Sequence, residues 1–170
     1  MWLAEDTHQD GQRVALKQLH EGVAVDILSR EFDALRRLRH PNVANVFDFH
    51  RGEGGEAPYL TEEFIDGADL MEATEGLSVK RRGRLLAQVL RGLEYVHAQG
   101  LVHGDVKPEN ILVTHRAGVE RACLIDFGLV ASSGEHQSGM AGTAPYIAPE
   151  VIREEPRTSS SDLYSLGVTI

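Results

Sequence analysis

The first nineteen residues of the chain hold two short apolar runs of strand character, WLAED and QRVALKQL, separated by polar THQDG. A turn containing Asp10 and Gly11 between two such runs predicts a hairpin. The period then changes. In VDILSREFDALRRLRH, Ile27, Leu28, Phe32, Leu35 and Leu38 recur at helical spacing, and His40-Pro41 is expected to end the helix, because the residue before a proline is driven out of the helical region. VANVFDFHR and APYLTEEF predict two more strands around RGEGGE, a hairpin loop with adjacent glycines. The first 64 residues thus predict a small antiparallel sheet carrying one helix.

After IDGADL the pattern becomes helical. From Ser78 to Gln99, Leu85, Leu86, Val89, Leu90, Leu93 and Val96 share one face, and Gly100 stands where a C-terminal cap belongs. Between Leu101 and Phe127 the short apolar pieces LVH, NILV and ACLIDF alternate with polar turns. A loop rich in Ser and Gly is expected from Ala131 to Gly142, followed by APEVI and a helix beginning in DLYSLGVTI. No internal repeat is visible. The predicted organisation is two parts, residues 1–64 and 65–170, hinged near Glu63 to Gly67.

Composition narrows the function classes. Hydrophobic residues make up 42% and charged residues 25% of the 170, which is ordinary globular usage. A formal charge of -9 argues against a nucleic-acid surface, which needs clustered Lys and Arg to neutralise phosphates. The basic cluster in VKRRGRLL is read as a solvated helix face. Cys123 is the one cysteine, so neither an intrachain disulfide nor a Cys-based metal site can form, and its place in ACLIDF predicts a buried structural thiol. With no apolar run of membrane-spanning length and no signal-peptide pattern, the segment is expected to be soluble, cytoplasmic and free of membrane contact.

Three motifs carry chemistry. Phosphoryl transfer from ATP demands the positioning of phosphates, metal and nucleophile rather than covalent work by the protein. A strand lysine to hold the α and β phosphates, and a helix glutamate to hold that lysine, are supplied by Lys17 of VALK and by Glu31. In HGDVKPEN, Asp105 precedes Asn110 with four residues between them, and IDFGLV places Asp126 in an Asp-Phe-Gly triplet after a buried strand. One carboxylate to orient a hydroxyl, and a second carboxylate with an amide oxygen to hold a hard divalent cation, are what the reaction asks for.

With these motifs in this order, the chain resembles the eukaryotic-like protein kinases, and WLAEDT, RLRHPNV and YLTEEFIDG resemble the bacterial serine/threonine branch. GTAPYIAPE is similar to the end of the family's activation segment, and SSSDLYSLG to the start of the helix that anchors its large lobe. The resemblance implies an α+β bilobal fold with ATP and Mg²⁺ as cofactors and a protein as substrate. It implies that Lys17 pairs with Glu31 and contacts phosphates, that Asp105 is the catalytic base, and that Lys107 steadies the γ-phosphate. Asn110 and Asp126 would hold Mg²⁺. Adenine would bond to backbone at Glu63 and Ile65 between Ala15 and Leu112, with Glu62 at the gatekeeper position. Thr143 and Ala148-Pro149-Glu150 would form the platform for a peptide hydroxyl. Leu35, Val46, His103 and Phe127 fall where the family stacks a hydrophobic column, and Asp162 where it accepts bonds from catalytic-loop backbone.

Gly104 departs from the protein-kinase pattern, which has an arginine between the histidine and the aspartate, and resembles small-molecule kinases of the aminoglycoside type instead. Lys107 and the Ala-Pro-Glu segment weigh the other way, toward a serine/threonine protein kinase. A pseudokinase or ATP-binding scaffold and a small-molecule kinase stand as alternatives. The family's glycine-rich loop is missing before MWLAED and its later helices after DLYSLGVTI, so the chain is expected to be a fragment with weak or no activity alone. Sensor or regulatory domains are possible in the parent protein. Without an arginine at position 104 there is no charge for an activation-loop phosphate to neutralise. Replacing Ser132, Ser133 and Ser138 together by alanine in the full-length protein should therefore leave phosphotransfer activity in place, as a radiolabelled-phosphate assay would show; abolished activity would refute this.

Overall fold

The computed structural model describes residues 1–7, 11–18, 29, 32–52, 57–127, 131–132 and 143–170. They form two compact units, Met1–Arg39 with Ala44–Ile65, and His40–Val43 with Asp66–Ile170. In the first unit, strands β1 (Trp2–Asp6), β2 (Gln12–Gln18), β3 (Val46–His50) and β4 (Tyr59–Glu63) make one antiparallel sheet in the order β1-β2-β4-β3. The β1 and β2 runs pair from Trp2↔Leu16 to Asp6↔Gln12, and the Gly11 N–H donates to Asp6 O at 3.0 Å at the turn. Asp10 lies outside the described residues.

Of the helix expected before Pro41, Ser29 and residues 32–35 are described and helical. It ends earlier than Pro41. Arg37 N–H reaches Ala34 O and Leu38 N–H reaches Leu35 O, at 3.2 and 3.0 Å, so the last turn tightens to i→i−3 bonds and the chain leaves the helical path. Leu38 is then buried outside the helix, alongside Leu35, Val14, Val46 and Leu60, in the core of this unit. Phe32 packs against Phe49 with ring centroids 5.8 Å apart, which fixes the helical turn against β3.

The second unit opens with β5 (Ala68–Asp69) and α1 (Leu70–Thr74), neither of which the apolar pattern announces. Asp69 caps α1 by accepting the Glu72 N–H at 2.9 Å. The long α2 (Val79–Ala98) follows with Leu85, Val89, Leu93 and Val96 buried. Leu90, expected on that face, is 45% exposed. A stripe spaced by four, four and three residues leaves position 90 beside it, and Gly92 is buried instead. Of the basic cluster, Lys80, Arg82 and Arg84 are exposed, and Arg81 pairs with Glu120.

Beyond α2, β6 (Leu101–Val102) pairs antiparallel with β9 (Ala131–Ser132), so the expected Ser/Gly loop begins as a strand; residues 133–142 lie outside the description. The strands β7 (Ile111–Arg116) and β8 (Val119–Leu124) form a hairpin to which β5 adds, in the order β5-β7-β8. Cys123 is buried on β8, as a structural thiol should be. Helices α3 (Pro149–Ile152) and α4 (Ser159–Thr169) close the chain. α4 starts three residues before Asp162, because Thr158 and Ser161 cap each other's backbone N–H groups reciprocally. Among the described residues no helix is long and apolar enough to cross a membrane. Val79, Met71 and Ile170 are exposed by 86%, 61% and 74%, apolar surface at the ends of α1, α2 and α4.

The segment at Asn42 locks α2 to β8. Its side-chain Nδ2 donates to Ala122 O at 2.7 Å and to Gln88 Oε1 at 3.1 Å, while its backbone O accepts the Leu124 N–H at 2.9 Å. That approach is possible because residue 92 has no side chain: a Cβ there would meet Asn42 O at 2.8 Å and Leu124 Cδ1 at 3.0 Å. A Cβ at Gly83 in the same helix would meet nothing within 4 Å. Gly83→Ala should stabilise the fold by about 0.5–1 kcal/mol through helix propensity. Gly92→Ala should destabilise it by about 1–3 kcal/mol, since overpacking against backbone outweighs that gain. Chemical denaturation of the two variants measures both signs.

Candidate active site

HGDVKPEN has almost no regular structure, yet it is anchored at intervals. His103, Val106, Pro108 and Asn110 are buried, while Gly104, Asp105 and Lys107 are less so and Glu109 is exposed. A 3₁₀ turn at Pro108–Asn110 returns the chain into β7, with Asn110 N–H on Lys107 O at 3.0 Å. His103 is fixed through its ring, with Nε2 on Ile125 O at 3.1 Å and Nδ1 accepting the Asp105 N–H at 3.3 Å, and its ring lies 4.7 Å from that of Phe127.

Asp162, from the first turn of α4, holds the start of the loop. Its Oδ2 accepts the His103 N–H at 2.8 Å and its Oδ1 the Gly104 N–H at 2.9 Å. His97, in the last turn of α2, brings its Nε2 to the same Oδ2 at 2.7 Å. These are the backbone bonds that the sequence resemblance implies for Asp162.

On this frame four of the expected site residues meet. Asn110 Nδ2 donates to Asp105 O at 2.8 Å and to Asp105 Oδ2 at 3.0 Å. Lys107 Nζ lies 2.7 Å from Asp105 Oδ2 and donates to Thr143 Oγ1, also at 2.7 Å. Thr143 in turn donates its hydroxyl proton to Asp105 Oδ1 at 2.9 Å. Every oxygen of the Asp105 side chain is therefore addressed by a donor, and one of those donors is an alcohol. The carboxylate is already oriented to receive a hydroxyl hydrogen.

The platform segment is tied to the same scaffold. Glu150 Oε1 accepts from Ser161 Oγ at 2.8 Å, and Ser165 Oγ donates to Tyr146 O at 2.7 Å, so both attachments run to α4. Asp126 follows directly after Ile125, whose N–H donates to Asn110 O at 3.0 Å, and it adopts a left-handed backbone with φ of 60°. A non-glycine residue in that region is strained, and such strain gathers where a side chain has to be aimed. The Asn110 amide nitrogen is committed to Asp105, which leaves its oxygen as the donor to offer a cation. An amide oxygen and a carboxylate suit Mg²⁺, which takes few protein ligands and completes its shell with water and phosphate oxygens.

The remaining expected residues stand elsewhere. Leu112 lies on β7 opposite Asp69 and Cys123. Lys17 and Ala15 lie on β2, opposite Leu60 and Glu62, and Glu63 and Ile65 lie at the end of β4, all within the first unit. The Glu63 N–H donates to Asn45 O at 2.7 Å and its carboxylate accepts from Asn45 Nδ2 at 2.7 Å, which fixes the chain as it leaves the sheet. Glu62 is only 1% exposed. Glu31 lies outside the described residues. Leu35 and Val46 are buried in one unit, His103 and Phe127 in the other. Arg157, which the sequence does not mark, is 5% exposed and donates from Nη1 to Gly104 O at 3.2 Å.

Burial pushes the Asp105 carboxyl up, but hydrogen bonds from Lys107 and Thr143 and the charge of Lys107 outweigh it, and the group is held below the usual carboxylate range. A carboxyl depressed by folding contributes stability above its unfolded value and loses it as pH falls through the lower folded value. Asp105 thus stays ionised through mildly acidic conditions. Carbon-detected NMR titration without divalent cation or nucleotide should find it protonating below free aspartate, and Lys107→Met should move that midpoint upward; an unmoved midpoint would contradict the assigned cause.

Comparison with known proteins gives a consistent picture. Residues 5–170 match the profile of the family described as protein kinase domain. The chain is 39% identical over 184 residues to serine/threonine-protein kinase PknA of Mycobacterium tuberculosis, covering 99% of this chain and 42% of the relative. It is 35% identical over 173 residues to the probable serine/threonine-protein kinase pknA2 of Bifidobacterium longum, covering 93% and 22%. It is 36% identical over 172 residues to serine/threonine-protein kinase pkn2 of Myxococcus xanthus, covering 93% and 20%. The chain thus spans less than half the length of each of these three relatives.

Proposed function

The chain belongs to the protein kinase family, and we propose that it carries the catalytic residues of a serine/threonine protein kinase that transfers the γ-phosphate of ATP to a protein hydroxyl. The observation that carries this reading is the closed set of bonds among Asp105, Lys107, Asn110 and Thr143. Asp105 is ionised and faces an alcohol, which is the arrangement a substrate serine or threonine needs.

In the proposed reaction the substrate hydroxyl takes the place of the Thr143 hydroxyl at Asp105 Oδ1. Its oxygen forms a bond to the γ-phosphorus as the bond from that phosphorus to the β–γ bridging oxygen breaks. The hydroxyl proton passes to Asp105, and ADP departs with the electron pair. Lys107 sits beside the carboxylate with its ammonium available to γ-phosphate oxygens. Asn110 and Asp126 would hold Mg²⁺, which would supply charge neutralisation on the phosphates. Lys17, held by Glu31, would contact the α and β phosphates. Because the Glu63 N–H is committed to Asn45 O, that residue's contribution to adenine falls to its carbonyl, with the N–H coming from Ile65.

The similarity to three bacterial proteins named as serine/threonine-protein kinases supports a protein as the substrate, and the contact of Thr143 with Asp105 agrees with it. A small-molecule kinase has Gly104 alone in its favour. A cytoplasmic site of action and regulatory segments elsewhere in the longer parent complete the proposal.

The decisive measurement uses the full-length protein with a serine/threonine peptide and an aminoglycoside as competing acceptors. Phosphate should reach the peptide, and Asp105→Asn should lower that rate by about 10²–10⁴-fold while ATP binding, read by fluorescent nucleotide titration, persists. Transfer to the aminoglycoside, or a peptide rate indifferent to Asp105→Asn, would defeat the proposal.

A further inference from the structure

Arg157 is a buried guanidinium for which neither the motifs nor the proposed reaction has a use. An arginine cannot shed its charge to suit an interior, so burying one demands compensation from its surroundings. Two kinds of contact supply it. Its Nη1 donates to Gly104 O at 3.2 Å, and the carboxylates of Asp162 and Asp105 favour its charged form against the cost of burial. Arg157 is 5% exposed, and with Gly104, Asp105, Thr143 and Asp162 it lines a small pocket of about 20 Å³, so little solvent reaches this charge.

The geometry around Gly104 shows what that arrangement accomplishes. Gly104 takes φ of 79°, a left-handed conformation that glycine adopts without steric cost but from which it also escapes easily. Its N–H is held by Asp162 Oδ1 at 2.9 Å and its carbonyl by Arg157 Nη1 at 3.2 Å. Asp105 is the next residue, so the carbonyl that Arg157 grips belongs to the peptide unit that carries the Asp105 N–H. Both holding groups come from one rigid source. Asp162 lies in the first turn of α4, and Arg157 immediately precedes Thr158, the N-cap that is itself locked by the reciprocal bonds with Ser161.

We infer that Arg157 is a positioning residue for phosphotransfer: it clamps the Gly104 carbonyl opposite Asp162 and so fixes the peptide that aims the Asp105 carboxylate. The inference rests on the proposed role of Asp105 and adds a partner to it. The most flexible residue of the loop is thereby confined from both sides, and the aim of the carboxylate depends on the start of α4 rather than on the loop alone. Misplacing a reacting group by about 1 Å can cost about 10²-fold in rate, whereas in the proposed reaction this peptide unit touches the substrate only through the reacting hydroxyl at Asp105.

The test compares Arg157→Met, which keeps the volume but removes charge and donors, with Arg157→Lys, which restores a cationic donor. Steady-state kinetics of the full-length protein should show kcat falling about 10–100-fold in Arg157→Met with KM for ATP and peptide changed less than about 3-fold. Arg157→Lys should recover most of the loss. A kcat within about 3-fold of the parent in a folded Arg157→Met protein overturns the inference, and so does a lysine variant no better than methionine. If Arg157→Met does not fold, as judged by thermal melting, Arg157→Gln is read in its place against the same lysine variant. Asp105→Asn run alongside separates the two ideas: if it leaves activity intact the proposed function fails, whereas its loss of activity beside an unaffected Arg157→Met removes only the clamp.

Discussion

The second unit is organised around one buried carboxylate. Asp162 is 1% exposed, and an ion taken so far from water is tolerated only where donors replace its hydration. Its donors come from three places: the last turn of α2 through His97, and the backbone of His103 and Gly104 at the start of the catalytic loop. Since an ionised carboxylate can only accept, the His97 Nε2 facing it is the protonated one. The need to satisfy a single charge thus fixes the relative placement of two helices and a loop. No amount of apolar packing would do this, because hydrophobic contact is not directional.

From that anchor the site acquires rigidity without regular structure. Buried His103, Val106, Pro108 and Asn110 punctuate HGDVKPEN, so the chain is held down at intervals while Asp105 and Lys107 remain partly accessible. The bonds of Asn110, Lys107 and Thr143 to Asp105 then leave its carboxylate one orientation. Preorganisation of this kind means that no reorientation has to occur during the reaction, which is where fixed dipoles and charges are most effective. The attachments of residues 146 and 150 to α4 extend the same frame to the segment that would receive a peptide.

How much of this could be read from the sequence depended on whether a feature is periodic or chemical. The β1-β2 hairpin and α2 repeat their apolar residues often enough to announce themselves. β5, β9 and α1 do not, since two-residue strands exist by pairing with neighbours and a one-turn helix by its Asp69 cap, and neither leaves a period. Leu90 was placed on the buried face by hydrophobicity, but the stripe through 85, 89, 93 and 96 passes beside it. The helix before Pro41 ended early because its last turn tightened, an event governed by local bonds rather than by the proline. Asp105 and Asn110 were legible because the chemistry dictates residue types at a fixed separation, and Lys107 and Thr143 through the family resemblance alone. Arg157 was not, because an arginine among Glu, Pro, Thr and Ser has the composition of a solvated turn, and only the fold reveals that it points inward.

Arg157 also changes what Gly104 signifies. Taken as a letter in a motif, the glycine is a missing charge. In the folded chain a cation stands at that point nonetheless, delivered from a position more than fifty residues further along and bonded to the glycine's own carbonyl. The overall charge of -9 makes the placement more telling, since a chain with an excess of acidic residues has committed one arginine and one lysine to the surroundings of two carboxylates. Glycine is the residue that permits this solution. A left-handed backbone at position 104 turns its N–H toward Asp162 and its carbonyl toward Arg157 at once, and a side chain there would have to bear the strain of that conformation. The departure from the family pattern and the buried arginine are therefore two halves of one arrangement, in which the charge is moved off the loop and into the scaffold that holds it.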